Sequence, residues 1–344
     1  DTARLSGTTS AGTGETINLE VSGASYGSTT STQSGITLVA QTGSDTLETL
    51  NITSSGTAAN DFALLAGANV VLDTVNISGT ADLKMRVTHA DVTGYTVAST
   101  NTGTTELVID RNGVTPATSV LNFSGIDTLS IKDSVSPAVG GDALDVSGFS
   151  SGSTIQLLDD GGATTLTGAA VTGSSDSLTV VLDNESSSTD VDVTSIDIQD
   201  IETLTISSLG KVSTSTTAQN EIRDLTGDAT TITVGGDTSL ELDLNIDSPS
   251  TGTRAVTVDA SSNTAWVNIG AEANTKLSYT ITGTAGADTL TLNASGGTLT
   301  GGAGNDALTG GAGNDTFTAG AGNDTITTGI GTDTISTGAG NDTI

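Results

Sequence analysis

The sequence predicts an all-β chain: a parallel β-solenoid region over 1–282 running into a tighter coil of short repeats over 283–344. Three features say so. Apolar and polar residues alternate at period two, as in Thr16–Val21, Glu241–Ile246 and Ala255–Val258, and helical spacing is almost absent. A six-residue phrase recurs through the first part. From Gly283 onward every ninth residue repeats in kind.

The phrase reads Leu47-Glu48-Thr49-Leu50-Asn51-Ile52, then Leu72-Asp73-Thr74-Val75-Asn76-Ile77, Ile126-Asp127-Thr128-Leu129-Ser130-Ile131 and Ile201-Glu202-Thr203-Leu204-Thr205-Ile206. Its starts are 25, 54 and 75 residues apart, near whole multiples of about 25, a length typical of solenoid coils. Leu50 and Ile52 share a strand face, whereas Leu47 has the opposite parity and is expected to enter the core across a corner. β-sandwich subdomains are the alternative for this region. Its Pro, Gly and Ser stretches put candidate internal boundaries near 137, 187 and 249.

The last part divides into seven units beginning at Gly283, Leu292, Gly301, Gly310, Ala319, Thr328 and Thr337. Position six holds Asp288, Gly297, Asp306, Asp315, Asp324, Asp333 and Asp342. Position eight holds Leu290, Leu299, Leu308, Phe317, Ile326, Ile335 and Ile344. Six Gly-rich residues make a tight turn. The next three, as in Thr316-Phe317-Thr318, make a short strand with its middle residue inward. A flexible linker of the same composition would not hold an apolar residue at one phase through seven units.

The pattern GGxGxDxUx resembles the repeats-in-toxin (RTX) calcium-binding nonapeptide array. The phrase Ile201–Ser207, set in a Thr/Ser-rich β region before such an array, resembles RTX-type bacterial surface-layer proteins. The resemblance implies Ca2+ as cofactor, held by Asp288, Asp306, Asp315, Asp324, Asp333 and Asp342. Backbone carbonyls of the turn glycines would complete the sites: Gly301, Gly302, Gly304, Gly310, Gly311, Gly313, Gly320, Gly322, Gly329, Gly331, Gly338 and Gly340. Ca2+ takes six to eight oxygens at ~2.3–2.6 Å, more than one loop offers, and turns stacked at ~4.8 Å bring two loops around one ion. With two nonapeptides per coil, Asp288, Asp306, Asp324 and Asp342 line one edge and Gly297, Asp315 and Asp333 the other. At least four ions are then expected, with Gly297 weakening the sites around it. Asp45, Asp61 and Asp142 sit in upstream echoes of the loop and are candidate additional ligands, though each also reads as an ordinary Asp turn.

The same resemblance implies an extracellular, cell-surface location reached by type I secretion. It also implies a homo-oligomer or two-dimensional lattice, and a polysaccharide anchor through a region outside this sequence. Composition agrees with part of this. Nine Lys and Arg face forty Asp and Glu, a net charge of -31, which disfavours nucleic acid and anionic membranes and opposes compaction unless cations bind. No cysteine is present, so disulfides do not stabilise the fold. No apolar run reaches the ~18 residues of a spanning helix, so no membrane insertion is expected. Starting without Met and ending within a repeat, the sequence is expected to be a piece of a longer chain.

RTX arrays also trail enzymes, but catalysis is not expected in this chain. Its one histidine, His89, cannot form the paired-histidine motif of a zinc protease. Cysteine chemistry is impossible, and the carboxylate pair Asp159-Asp160 carries little weight among forty acids. The alternative to a surface layer is an RTX adhesin stalk or the non-catalytic region of a type I secreted protein. Because no Pro, charge run or polar linker separates Leu277–Thr282 from Gly283, the two parts are expected to join without a hinge.

Overall fold

Alternation at period two becomes strands that send every second side chain into one interior. Ser177–Asp183 buries Leu178, Val180 and Leu182 and leaves the residues between them partly exposed. The same holds in Arg254–Asn263, where Val256, Val258 and Ala260 are buried. The computed structural model describes residues 2–8, 15–23, 35–38, 47–66, 73–88, 96–110, 119–132, 142–147, 150–158, 164–167, 175–183, 190–210, 219–293 and 295–344. Among them no helix occurs.

The chain divides into two compact units, residues 1–135 with 143–156, and residues 136–142 with 157–344. In each, successive strands alternate between two ladders. In the first unit one ladder runs through Glu15–Ser22, Leu47–Ser55, Thr74–Gly79, Thr96–Ser99 and Ser119–Ser124. The other runs through Gly35–Leu38, Asn60–Ala66, Leu83–Thr88, Thr105–Asp110 and Thr128–Lys132. Among the described residues neighbours pair in parallel, one coil apart, except that Thr2–Thr8 lies antiparallel on Glu15–Ser22. Parallel pairing between successive coils is a β-solenoid; sandwich subdomains would pair antiparallel.

Coil length varies upstream. Asn76 donates to Asn51 25 residues before it at 2.9 Å, and Lys84 meets Glu106 22 residues on at 2.6 Å. In the second unit the spacing reaches 30, where Thr165 pairs with Ser195. This explains where the repeated phrase falls. Leu50 and Ile52 pair with Val75 and Ile77 in the first ladder, but Leu129 and Ile131 pair with Leu107 and Ile109 in the second. The interval of 54 residues therefore ends on the opposite ladder and is not two whole coils. An acid, a Thr and two alternating apolar residues suit the entry to either ladder.

The corner expected at Leu47 can be read at its equivalents, since the Leu47 side chain lies outside the described residues. Ile126 and Ile201 each sit two residues before a strand and are fully buried. Buried asparagines tie other corners. Asn220 donates to Ser208 Oγ at 2.9 Å and to the Leu209 carbonyl, and Asn263 donates to the carbonyls of Gly235 and Thr238. Each amide satisfies backbone groups that leave the ladder at a turn. Asn51 and Asn76 stack with Asn18 as an exposed amide ladder.

In the second unit the ladders continue across residue 283. Asn268 pairs with Thr289, and Thr280 with Thr298, so array strands add directly to upstream strands. From there the coil shortens to 18 residues, two nonapeptides.

Candidate metal centre

The array's two ladders are built differently. Ala307–Thr309 and Thr325–Thr327 are three-residue strands, whereas Thr298–Ala303 and Thr316–Ala321 extend through positions one to three of the next repeat. Leu290, Leu308 and Ile326 stack inward on one side, and Leu299 and Phe317 on the other. The flanking Thr residues favour strand and face outward.

This leaves each Asp of position six at the mouth of a turn, one residue before a strand or, for Asp342, before the bridge residue Thr343. One edge brings Asp288, Asp306, Asp324 and Asp342 into a column, and the other Gly297, Asp315 and Asp333. In each column Oδ1 accepts the N–H of the equivalent residue one coil before. Asp306 takes that of Asp288 at 2.9 Å, Asp324 that of Asp306 at 2.9 Å, and Asp342 that of Asp324 at 3.0 Å. Asp315 takes that of Gly297 at 2.8 Å and Asp333 that of Asp315 at 3.0 Å.

The second oxygens differ. Oδ2 of Asp306 and Oδ2 of Asp324 are buried without a hydrogen-bond partner. Both residues are nearly inaccessible, at 2% and 1% exposure, so an ionised carboxylate there has a donor at Oδ1 only, and Oδ2 lacks both water and a donor. Burial accordingly pushes the Asp306 carboxyl up to about 6, with the neighbouring carboxylates adding to the rise, and pushes Asp315 up as well. Asp315 Oδ2 has one long bond, from the Gly311 N–H at 3.2 Å. Asp333 and Asp342 are half-buried.

Carbonyl oxygens converge on the same points. A Cβ placed on Gly301 would collide with both Asp306 Oδ2 and the Ala319 carbonyl. One on Gly310 would meet Asp315 Oδ2 and the Thr328 carbonyl. Among the described residues no three His, Cys, Asp or Glu side chains gather at one point, so the donor set is single carboxylates with main-chain oxygens. Hard oxygen donors around an uncompensated carboxylate fit Ca2+. Bound there, the ion supplies the positive charge that Oδ2 lacks.

The glycines have two tasks. Gly302, Gly320 and Gly338 stack in one column, and Gly304, Gly322 and Gly340 in another, each backed by the carbonyl of the glycine or turn residue one coil before. Gly329 and Gly331 stack likewise on Gly311 and Gly313. A side chain at these places has no room. The Gly311 carbonyl is already engaged by the Ile330 N–H at 3.0 Å. Position-one carbonyls beside the carboxylates belong to Gly301, but also to Ala319 and Thr328, which composition did not single out. A carbonyl ligand needs a backbone position and not a glycine, so register was the signal.

Of the upstream candidates, Asp61 Oδ2 accepts from Arg86 Nη2 at 2.9 Å, so a cation already stands beside it. Asp45 lies outside the described residues. Asp142 opens the strand Asp142–Ser147, with its side chain outside them. His89, Asp159 and Asp160 are also outside the described residues. Position-five asparagines link turns one coil apart: Asn305 Oδ1 accepts the Asn323 N–H and Asn323 Oδ1 the Asn341 N–H, both at 2.8 Å.

The RTX calcium-binding nonapeptide repeat family model (4 copies) matches residues 280–308, 293–326 and 309–344. No curated protein and no solved structure matches the chain. Repeats of this kind bind calcium, form a β-roll, and typify extracellular proteins exported by type I secretion; such domains are usually non-catalytic. The C-terminal part of this chain is therefore a calcium-binding RTX β-roll that continues a parallel β-solenoid.

Proposed function

We propose that this chain is a structural part of a bacterial surface layer, non-catalytic, in which Ca2+ drives folding of residues 283–344 and thereby assembly. The ligands are Asp306, Asp315, Asp324, Asp333 and Asp342 with main-chain carbonyls. The buried, partnerless Oδ2 atoms of Asp306 and Asp324 carry the calcium part of this reading. A net charge of -31 supports it further, since close packing of copies requires that such self-repulsion be neutralised by cations. Ladders that run unbroken across residue 283 support a structural task, because an ordered array of subunits needs fixed lateral surfaces. The partner is then a second copy of this chain, with a polysaccharide anchor supplied from outside the sequence.

Electron microscopy of the protein with and without Ca2+ tests this. Ordered sheets that disperse on chelation are expected. Isolated rods at every calcium concentration would remove the surface layer in favour of an adhesin stalk.

A further inference from the structure

The first turn of the array shares the carbonyl geometry of the later ones, since a Cβ on Gly283 would meet both Asp288 Oδ2 and the Gly301 carbonyl. Its carboxylate is hydrogen-bonded differently. Asp288 is as buried as Asp306 and Asp324, at 1% exposure, yet its carboxylate is full. Oδ1 accepts the Val267 N–H at 2.8 Å and the Thr284 hydroxyl at 2.9 Å. Oδ2 accepts the Thr284 N–H at 2.6 Å. The hydroxyl oxygen in turn accepts the Gly286 N–H at 2.8 Å.

Thr284 stands at position two of its repeat, where later turns on the same edge have Gly302 and Gly320. Those glycines sit at φ of +121° and +118°, a region that disfavours β-branched residues. Thr284 lies outside that region. A position-two N–H also reaches the carboxylate at Gly311, at 3.2 Å from Asp315 Oδ2, against 2.6 Å at Thr284; what Thr284 alone adds is the hydroxyl.

We infer that Thr284 closes the first turn without metal: Asp288 is a hydrogen-bond acceptor rather than a calcium ligand. This turn stays folded on the upstream coils in calcium-free protein and templates the array. The Val267 bond ties it directly to the strand Val267–Ala271. Calcium-driven folding then adds coils in one direction only, from residue 289 toward the C-terminus. A preformed edge removes the nucleation step, which is the slow one where pairing partners lie a coil apart.

The inference rests on the calcium reading above, and the test separates the two. Hydrogen exchange on the whole chain in EDTA should show the amides of Val267, Thr284 and Gly286 protected about tenfold or more over that of Asp306. Equal exchange at all four overturns the inference. Native mass spectrometry in saturating Ca2+ should show Thr284→Gly holding one ion more than wild type, and Thr284→Ser the wild-type number. An unchanged count in a folded Thr284→Gly protein also overturns it. If Thr284→Gly does not fold, wild-type exchange in EDTA decides alone. Wild type holding no calcium would instead defeat the proposed function, while the exchange result still bears on Thr284.

Discussion

Upstream coils and the array use one device at the same corner and complete it differently. In both, an acid stands one residue before a strand and accepts the N–H of its register partner a coil away. Asp127 accepts from Thr105 at 2.6 Å and Glu202 from Asp176 at 2.7 Å, as Asp306 accepts from Asp288 at 2.9 Å. The preceding residue differs. Upstream it is Ile126 or Ile201, fully buried, so hydrocarbon fills the corner. In the array it is Asn305 or Asn323, exposed, and the acid itself is drawn inside with one oxygen unsatisfied. The corner at Ile126 and Asp127 is complete as a polypeptide. At the second, Asp176 beside Glu202 also keeps one buried oxygen unpaired, and in the array the ion completes the corner.

The largest expected difference is the response to chelation. Ions bound only by the folded form contribute ~1.4 kcal/mol per site at ten times Kd, so the sites of Asp306, Asp315 and Asp324 supply roughly 4 kcal/mol. EDTA should melt the coils after residue 289 and leave the upstream strands intact, read by circular dichroism with hydrogen exchange. A spectrum indifferent to EDTA breaks the comparison.

Next is the hydrocarbon corner. Ile201→Ala should cost about 3 kcal/mol through the cavity it leaves, equally with and without Ca2+ in urea unfolding. A cost that depends on calcium would mean that the two regions do not differ in this way.

Asp324→Asn should act in opposite directions in the two conditions. In Ca2+ it removes one site, ~1.4 kcal/mol at ten times Kd. In EDTA it removes a buried charge without a partner and should stabilise the array. Loss of stability in both conditions would reduce Asp324 to a turn former.

The smallest effect is that of pH on the calcium-free protein. Asp306 has its carboxyl raised to about 6, so the folded form holds a proton that the unfolded form has released. Stability is then greater at low pH and is lost as pH rises through about 6, by about 1 kcal/mol between pH 5 and 7. Thermal melts in EDTA should be higher at pH 5. Saturating Ca2+ should abolish the difference.

Upstream, cations come from the chain itself. Among the described residues Arg223 pairs with Asp192 at 2.6 Å and Arg254 with Asp228 at 2.8 Å. These exposed or half-exposed pairs add little stability. With nine Lys and Arg against forty acids, most of the chain's negative charge is left to be neutralised by something outside it.

What the sequence determined by itself is what repeats locally. Strand periodicity and the phase of Leu290 to Ile344 follow from spacing alone, because side-chain direction in a strand is fixed by parity. The two columns of position-six acids needed, besides, the two repeats per coil that the family resemblance implies. Where coil length is not constant, spacing fails. The third copy of the phrase fell on the other ladder, and the corner asparagines Asn220 and Asn263 gave no periodic signal. Only the tertiary structure decided which carboxylates are satisfied. Asp288 and Asp306 are the same residue at the same position of one repeat, yet one is saturated by Thr284 and Val267 and the other keeps an unpaired oxygen. Hydrogen-bond saturation depends on donors brought together by stacking and on the φ of the residue four places before. Neither is written in the nonapeptide itself.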